Sequence, residues 1–168
     1  MSLSSKPGVY VTKDSSKDWA KQFKGLNRAV LVGIQEKEGV HLTNSKYTVA
    51  QVGIINEFGN PSARIPARPF MATTLNTNRK KYGKMLENAA KAHTTLKGGK
   101  TGSVEANLRT IGAIAVRDVK TTITTLSEPA NAPYTIKKKG ADNPLIESGQ
   151  MRNSITFRIE KLDGGKKR

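Results

Sequence analysis

Cysteine is absent from the 168 residues, which excludes disulfides, thiolate nucleophiles and cysteine-ligated zinc. Histidine is almost absent: His41 falls in a polar stretch and His93 near the end of an apolar helical face, and neither has acidic neighbours at metal-ligand spacing. Acidic residues are scarce, 13 against 29 Lys and Arg. The nearest thing to paired carboxylates, Glu36 with Glu38 and Asp14 with Asp18, reads as solvated surface. Aromatics make up 5% and interleave with no basic cluster, which argues against single-strand binding by base stacking. No apolar run approaches the roughly 20 residues that a bilayer crossing takes. The opening Met-Ser-Leu-Ser-Ser-Lys-Pro lacks the apolar centre of a secretory leader, so synthesis in a cytoplasm is the expectation.

Catalytic motifs are missing in the same way. Gly98-Gly-Lys-Thr101 contains the end of a phosphate-binding loop, but the full pattern needs a glycine where Thr94 stands and a strand where a helix is expected. Ser148 lacks the flanking glycines of a nucleophile elbow and fits a helix N-cap better. No zinc-finger, RNP-type or GXXG signature is present. The expectation is a protein without enzymatic activity, cofactor or metal.

What is abundant is positive charge. The net is +16, and it is uneven: residues 1–60 carry eight basic and five acidic residues (+3), leaving 21 against eight (+13) in residues 61–168. Such an excess points to polyanions, nucleic acid or acidic protein surfaces. Three clusters stand out as candidate DNA- or partner-facing groups: Arg79-Lys80-Lys81, Lys137-Lys138-Lys139 and Lys166-Lys167-Arg168. Attraction of this diffuse kind engages phosphate without specifying sequence.

Length and patterning predict one α+β domain over residues 1–168, a small antiparallel or mixed sheet packed by two long helices. Residues 1–13 and 163–168 read as mobile tails, with Val9–Val11 as a short strand at most. Asp14 or Ser15 can cap a helix over 15–27 carrying Trp19, Phe23 and Leu26. Ala29 to Ile34 reads as a buried strand. A helix over 48–58 places Val49, Val52, Ile55 and Phe58 on one face, with Gly59 as its stop. Prolines 61, 66 and 69 exclude regular structure before a long helix at 69–94, whose apolar side is Met71, Leu75, Tyr82, Leu86, Ala89 and His93. After a turn at 97–102, Ser103 can cap a second long helix, 104–126. Its stripe of Val104, Leu108, Ile111, Ala115, Val119, Ile123 and Leu126 is the clearest periodicity in the chain. Residues 127–143 show no period and read as a long irregular arm. Asn143-Pro144 opens a helical stretch to about Asn153, and 154–160 alternates as a strand with Ile155, Phe157 and Ile159 inward. That face needs an apolar cover, which the Leu108-Ile111-Val119 stripe supplies.

Two blocks go beyond composition: Thr48-Val-Ala-Gln-Val-Gly-Ile-Ile-Asn-Glu-Phe-Gly59 with Ile65-Pro-Ala-Arg-Pro-Phe-Met71, and Tyr134-Thr-Ile-Lys-Lys-Lys139 with Asn143-Pro-Leu-Ile-Glu-Ser-Gly-Gln-Met-Arg-Asn-Ser-Ile155. In this order, with two long helices between them, they resemble the head–tail joining or tail-completion (neck) proteins of tailed bacteriophages. The residues that match are Glu57, Phe58, Gly59, Pro66, Arg68, Pro69, Phe70, Leu145, Ser148, Gly149, Met151, Arg152, Ser154 and Ile155. Family members often carry Thr at position 148 and Leu at position 151.

The resemblance implies a structural virion protein at the head–tail junction, present in the host cytoplasm during assembly. It implies a ring, hexameric in the virion and possible as a monomer beforehand, between the head connector or head-completion protein and the tail-tube or tail-terminator protein. Double-stranded DNA would pass through it with transient, non-specific contact. A minor tail or tail-terminator station is a neighbouring alternative, and a small basic nucleic-acid-binding protein is the alternative from another class. Physically, Phe58 and Phe70 are expected to pin both ends of the proline-stiffened loop into the core, Gly59 to take a positive φ, and Arg68 to pair with Glu57.

Overall fold

The computed structural model describes residues 26–35, 40–41, 44–95, 101–140 and 142–162. The expectations for the tails, the Trp19 and Phe23 part of the first helix, Glu36, Glu38, the 97–100 turn and Lys166-Lys167-Arg168 lie outside these residues. The chain runs β1 (Arg28–Ile34), β2 (Val40–His41), β3 (Asn44–Thr48), α1 (Val49–Phe58), a 3-10 turn (Pro61–Ala63), α2 (Phe70–Thr95), α3 (Thr101–Thr125), α4 (Pro133–Lys139), α5 (Gln150–Asn153) and β4 (Ile155–Lys161). This is the α+β architecture that the patterning predicts.

Strands β1 and β4 pair antiparallel, with Val30 opposite Ile159, Val32 opposite Phe157 and Ile34 opposite Ile155. Those three pairs share one face because side chains alternate along a strand. The stripe of α3 covers that face as expected: Ile155 packs with Val119 and Ile123, and Ile159 packs against Leu108 and Ile111. Leu26 and Asn27 are not helical. Asn27 instead extends the ladder, its carbonyl accepting from Leu162 N at 2.7 Å. β1 is half-buried rather than buried, with Leu31 turned to solvent opposite Arg158. The polar stretch holding His41 forms a second antiparallel ladder, β2 with β3.

Helix α1 starts at a capping box: Thr48 Oγ1 accepts from Gln51 N, and Gln51 Oε1 accepts from Thr48 N. Helix α3 begins at Thr101, so Ser103 lies inside it rather than capping it. Helix α2 buries only part of the side that periodicity suggests: Ala89 and His93 are buried and Met71 and Tyr82 half-buried, but Leu75 is 57% exposed and Leu86 is also exposed. Phe70 and Thr74 are inside as well. The reason is that α2 packs mainly on α3, meets α1 and the core only at its start through Phe70 and Met71, and leaves the Leu75 and Leu86 part of its apolar face uncovered.

Polar contacts also join α2 and α3: the Thr74 hydroxyl donates to Thr122 Oγ1 at 2.7 Å, and a clasp forms at Asp118. Asp118 of α3 accepts from Lys81 Nζ at 2.5 Å and from the Tyr82 hydroxyl at 2.9 Å. Burial opposes charge on Asp118, but the Lys81 ammonium and Tyr82 hydroxyl outweigh it and hold the carboxyl below its ordinary range. Burial, with the Asp118 hydrogen bond second, pushes the Tyr82 hydroxyl up. Since Asp118 binds its proton less readily when folded, the clasp stabilises fully above about pH 4, the unfolded value. That stability is lost as pH falls through the lower folded value. Asp118→Asn is therefore expected to destabilise the protein more at pH 7 than at pH 3 in urea titrations. An equal loss at both would count against the ion pair.

Candidate functional site

The loop after α1 is built by backbone economy. Gly59 ends the helix at φ 76°, its N–H donating to Ile55 O, and Asn60 and Ile65 exchange backbone bonds across the 3-10 turn. Asn60 Oδ1 accepts from Ala63 N, closing that turn, and Arg64 follows at φ 54°. A non-glycine residue there occupies a sparsely populated region.

Glu57 and Arg68 do not pair with each other. The Glu57 carboxylate reaches the free N–H groups at the start of α2, accepting from Met71 N at 2.8 Å and Ala72 N at 3.0 Å. It acts as an anionic cap at the positive end of a 26-residue helix. Pro69 stands just before the helix, its carbonyl accepting from Thr73 N. Arg68, only 6% exposed, turns the other way. Its Nε donates to Pro129 O at 2.8 Å, and its terminal nitrogen to Ala130 O at 3.1 Å and Asn131 Oδ1 at 3.5 Å. Burial lowers its pKa. Phe70 is buried as expected, but Phe58 is 75% exposed, so only one end of the loop is pinned in the core.

Residues 127–143 are not irregular throughout: among the described residues, a short helix interrupts the arm. After a cis Glu128–Pro129 bond, α4 runs from Pro133 to Lys139 and ends at Gly140 in the left-handed region. Lys137, Lys138 and Lys139 form its last turn, where cations complement the negative end of the helix. Lys139 is half-buried and donates to Asn143 O at 2.9 Å. Burial lowers its pKa and outweighs the nearby Glu147 carboxylate, which raises it, while the Arg68 charge lowers it further.

From Asn143 the chain makes turns rather than a helix as far as Gly149. Asn143 Oδ1 accepts from Leu145 N, and Ser148 Oγ accepts from Gln150 N, one residue ahead of the Gly149 cap. Leu145, Met151 and Ile155 enter the core, Ser154 is buried beside them, and Arg152 Nε donates to Thr124 Oγ1.

These pieces meet at one cleft of about 690 Å³. Pro66 and Arg68 of the first block face Leu145, Ser148, Gly149 and Met151 of the second, with Lys138 and Lys139 alongside. Arg64 and Tyr134 also line it, and Glu147 is its one acidic side chain. Sequence reasoning passed over Arg64; the signal for it was a turn between two halves of one motif. The Arg79-Lys80-Lys81 cluster is elsewhere, and it divides: Arg79 and Lys80 are exposed on α2, whereas Lys81 is tied to Asp118.

A second surface lies along β1. The strand pairs with β4 on one side, and its other edge is open among the described residues. An apolar groove of about 610 Å³ runs beside Val30 and Val32, walled by Leu75, Tyr82 and Leu86 of α2 and floored by Ile111 and Ala115. A further hollow of about 320 Å³ at Gly33, Ile34, Ile54 and Phe58 shares Met71 with it. Among the described residues no group of three His, Asp or Glu side chains is placed to hold a metal ion, and no helix is long and apolar enough to cross a membrane. No protein-family model matches the chain, and no curated protein or solved structure does so either.

Proposed function

We propose that this protein is a non-catalytic structural subunit of a tailed-phage head–tail junction. It assembles into a ring, sixfold by resemblance, between the connector side and the tail, with duplex DNA crossing it under diffuse, sequence-independent attraction. Assembly takes place in the host cytoplasm and the product is part of the virion. The observation that carries the reading is the apolar strip along the open edge of β1. An unpaired strand edge is a template for another chain, and large apolar grooves on a soluble subunit mark contact surfaces. A ring needs heterologous contacts, in which different patches of the same subunit meet. The strip offers a groove at Leu75 and Leu86 and, beside the second hollow, the apolar side chains of Ile54 and Phe58, all exposed.

Mass spectrometry of purified tailed particles should recover the protein at ring stoichiometry. Leu75→Glu with Leu86→Glu should keep the monomer folded, because both sites are exposed and such substitutions usually change stability by about 0.5 kcal/mol or less. The pair should nevertheless abolish oligomers in native mass spectrometry and leave heads unjoined. Absence from particles, combined with micromolar binding of duplex DNA at physiological salt, would replace this reading with that of a nucleic-acid-binding protein.

A further inference from the structure

The cleft between the 60–69 loop and α4 holds more positive charge than the fold uses. Arg68 and Lys139 are committed to backbone carbonyls, at Pro129 and Ala130 and at Asn143 respectively, and Glu147, the one carboxylate of the lining, faces Lys139, which leaves two further cations unmatched. Arg64 and Lys138 are exposed on the same cleft, and among the described residues nothing bonds either charged group. Arg64 also sits at φ 54°, a conformation that costs a residue with a Cβ and clusters where a side chain serves recognition. Beneath these cations the floor is apolar, with Val52, Leu145 and Met151, and the Tyr134 ring stands at the rim.

We propose that this cleft docks an extended acidic peptide segment of a partner protein. Its carboxylates are held by Arg64 and Lys138, and an apolar side chain between them rests on Val52 and Leu145 beside Tyr134. The Arg64 guanidinium suits a carboxylate because its planar fork donates two parallel hydrogen bonds. At about 690 Å³ the cleft is the size of a small-ligand pocket and takes a few residues of chain, not a duplex. Its apolar floor offers a nucleic-acid backbone nothing. The lining sets Arg64, Arg68, Lys138 and Lys139 against Glu147 alone, and self-association is already assigned to the strip along β1, so the occupant of this cleft is an acidic segment of a different protein. The proposal does not depend on a virion role, which particle composition tests separately.

A library of random short peptides displayed on a carrier and selected on the immobilised full-length protein should enrich sequences with two carboxylates around an apolar residue. The best of these, labelled with fluorescein, is then titrated by anisotropy. Arg64→Gly with Lys138→Gln keeps the backbone conformation, since glycine accepts a positive φ, and thermal melting confirms the fold. This variant should bind the peptide about tenfold more weakly or worse, whereas the charge-matched Arg79→Gln with Lys80→Gln should change affinity by less than about twofold. Failure to enrich acidic peptides, or equal losses in the two variants, would overturn the proposal. So would a short DNA duplex that displaces the peptide at physiological salt and shows the same variant dependence, since nucleic acid would then be the occupant.

Discussion

Gly59→Ala is expected to destabilise the protein by about 3 kcal/mol or more, as two costs of about 1–3 kcal/mol each fall on one methyl group. The first is conformational. Gly59 has φ 76° and ψ 174°, a region that residues with a Cβ essentially do not occupy. The second is steric: an added Cβ would lie 2.8 Å from Ala67 N and 2.9 Å from Ile65 O, both rigid backbone atoms. Neither cost can relax without separating the end of α1 from the segment that carries Arg64 and Arg68. Local release there would also loosen the Glu57 cap on α2 and the Arg68 bonds to 129–131, so the cleft should lose its shape along with stability. Gly83→Ala is the control, because that helical glycine has open space around it. It should raise stability by up to about 1 kcal/mol, the ordinary glycine-to-alanine gain in a helix. Urea unfolding of both variants checks the pair; a near-neutral Gly59→Ala would mean that the turn is not held as described.

Gly59 was legible in the sequence because its signal is local: an apolar helical run, then a glycine, then a proline-bearing loop. The α3 stripe and the Ile155-Phe157-Ile159 alternation were legible for a similar reason, since one period repeated over enough residues fixes a face. Helix α4 fails that test. Its seven residues span two turns, too few to establish a period, and three are lysines. The readable clues were its ends, Pro133 in the first turn and Gly140 just past the last. Glu57 and Arg68 failed for another reason. They are 11 positions apart on a bent loop and invite pairing, but each found backbone partners that no spacing rule reaches: the start of α2 for one, residues 129–131 for the other. Phe58 misled because its face of α1 borders the open strip along β1, which periodicity alone cannot distinguish from a covered core. Of the cleft, the motif residues and lysines were visible in advance. Arg64, whose importance lies in its backbone conformation, was not.

Gly112→Val is expected to cost about 3 kcal/mol, lowering the melting temperature by roughly 10 °C for a chain of this size. Gly112 lies in the middle of α3, where glycine is worth about 1 kcal/mol less than alanine to the helix. What offsets that loss is the approach of β4. A Cβ at position 112 would fall 2.3 Å from Phe157 Cδ2 and 2.6 Å from Cγ, so the ring lies flat over the helix backbone. Phe157 is held there by its register opposite Val32, and moving the ring aside would disturb the face shared with Ile155 and Ile159. Valine adds two further methyl groups to that collision and gives up χ1 freedom in the helix. The mechanism predicts rescue. In a double-mutant cycle, Phe157→Ala should reduce the cost of Gly112→Val by at least about 1 kcal/mol, because the clash requires both side chains. If the two substitutions simply add, the valine is acting through helix propensity or the unfolded chain, and the close packing of α3 on β4 is not what positions glycine there.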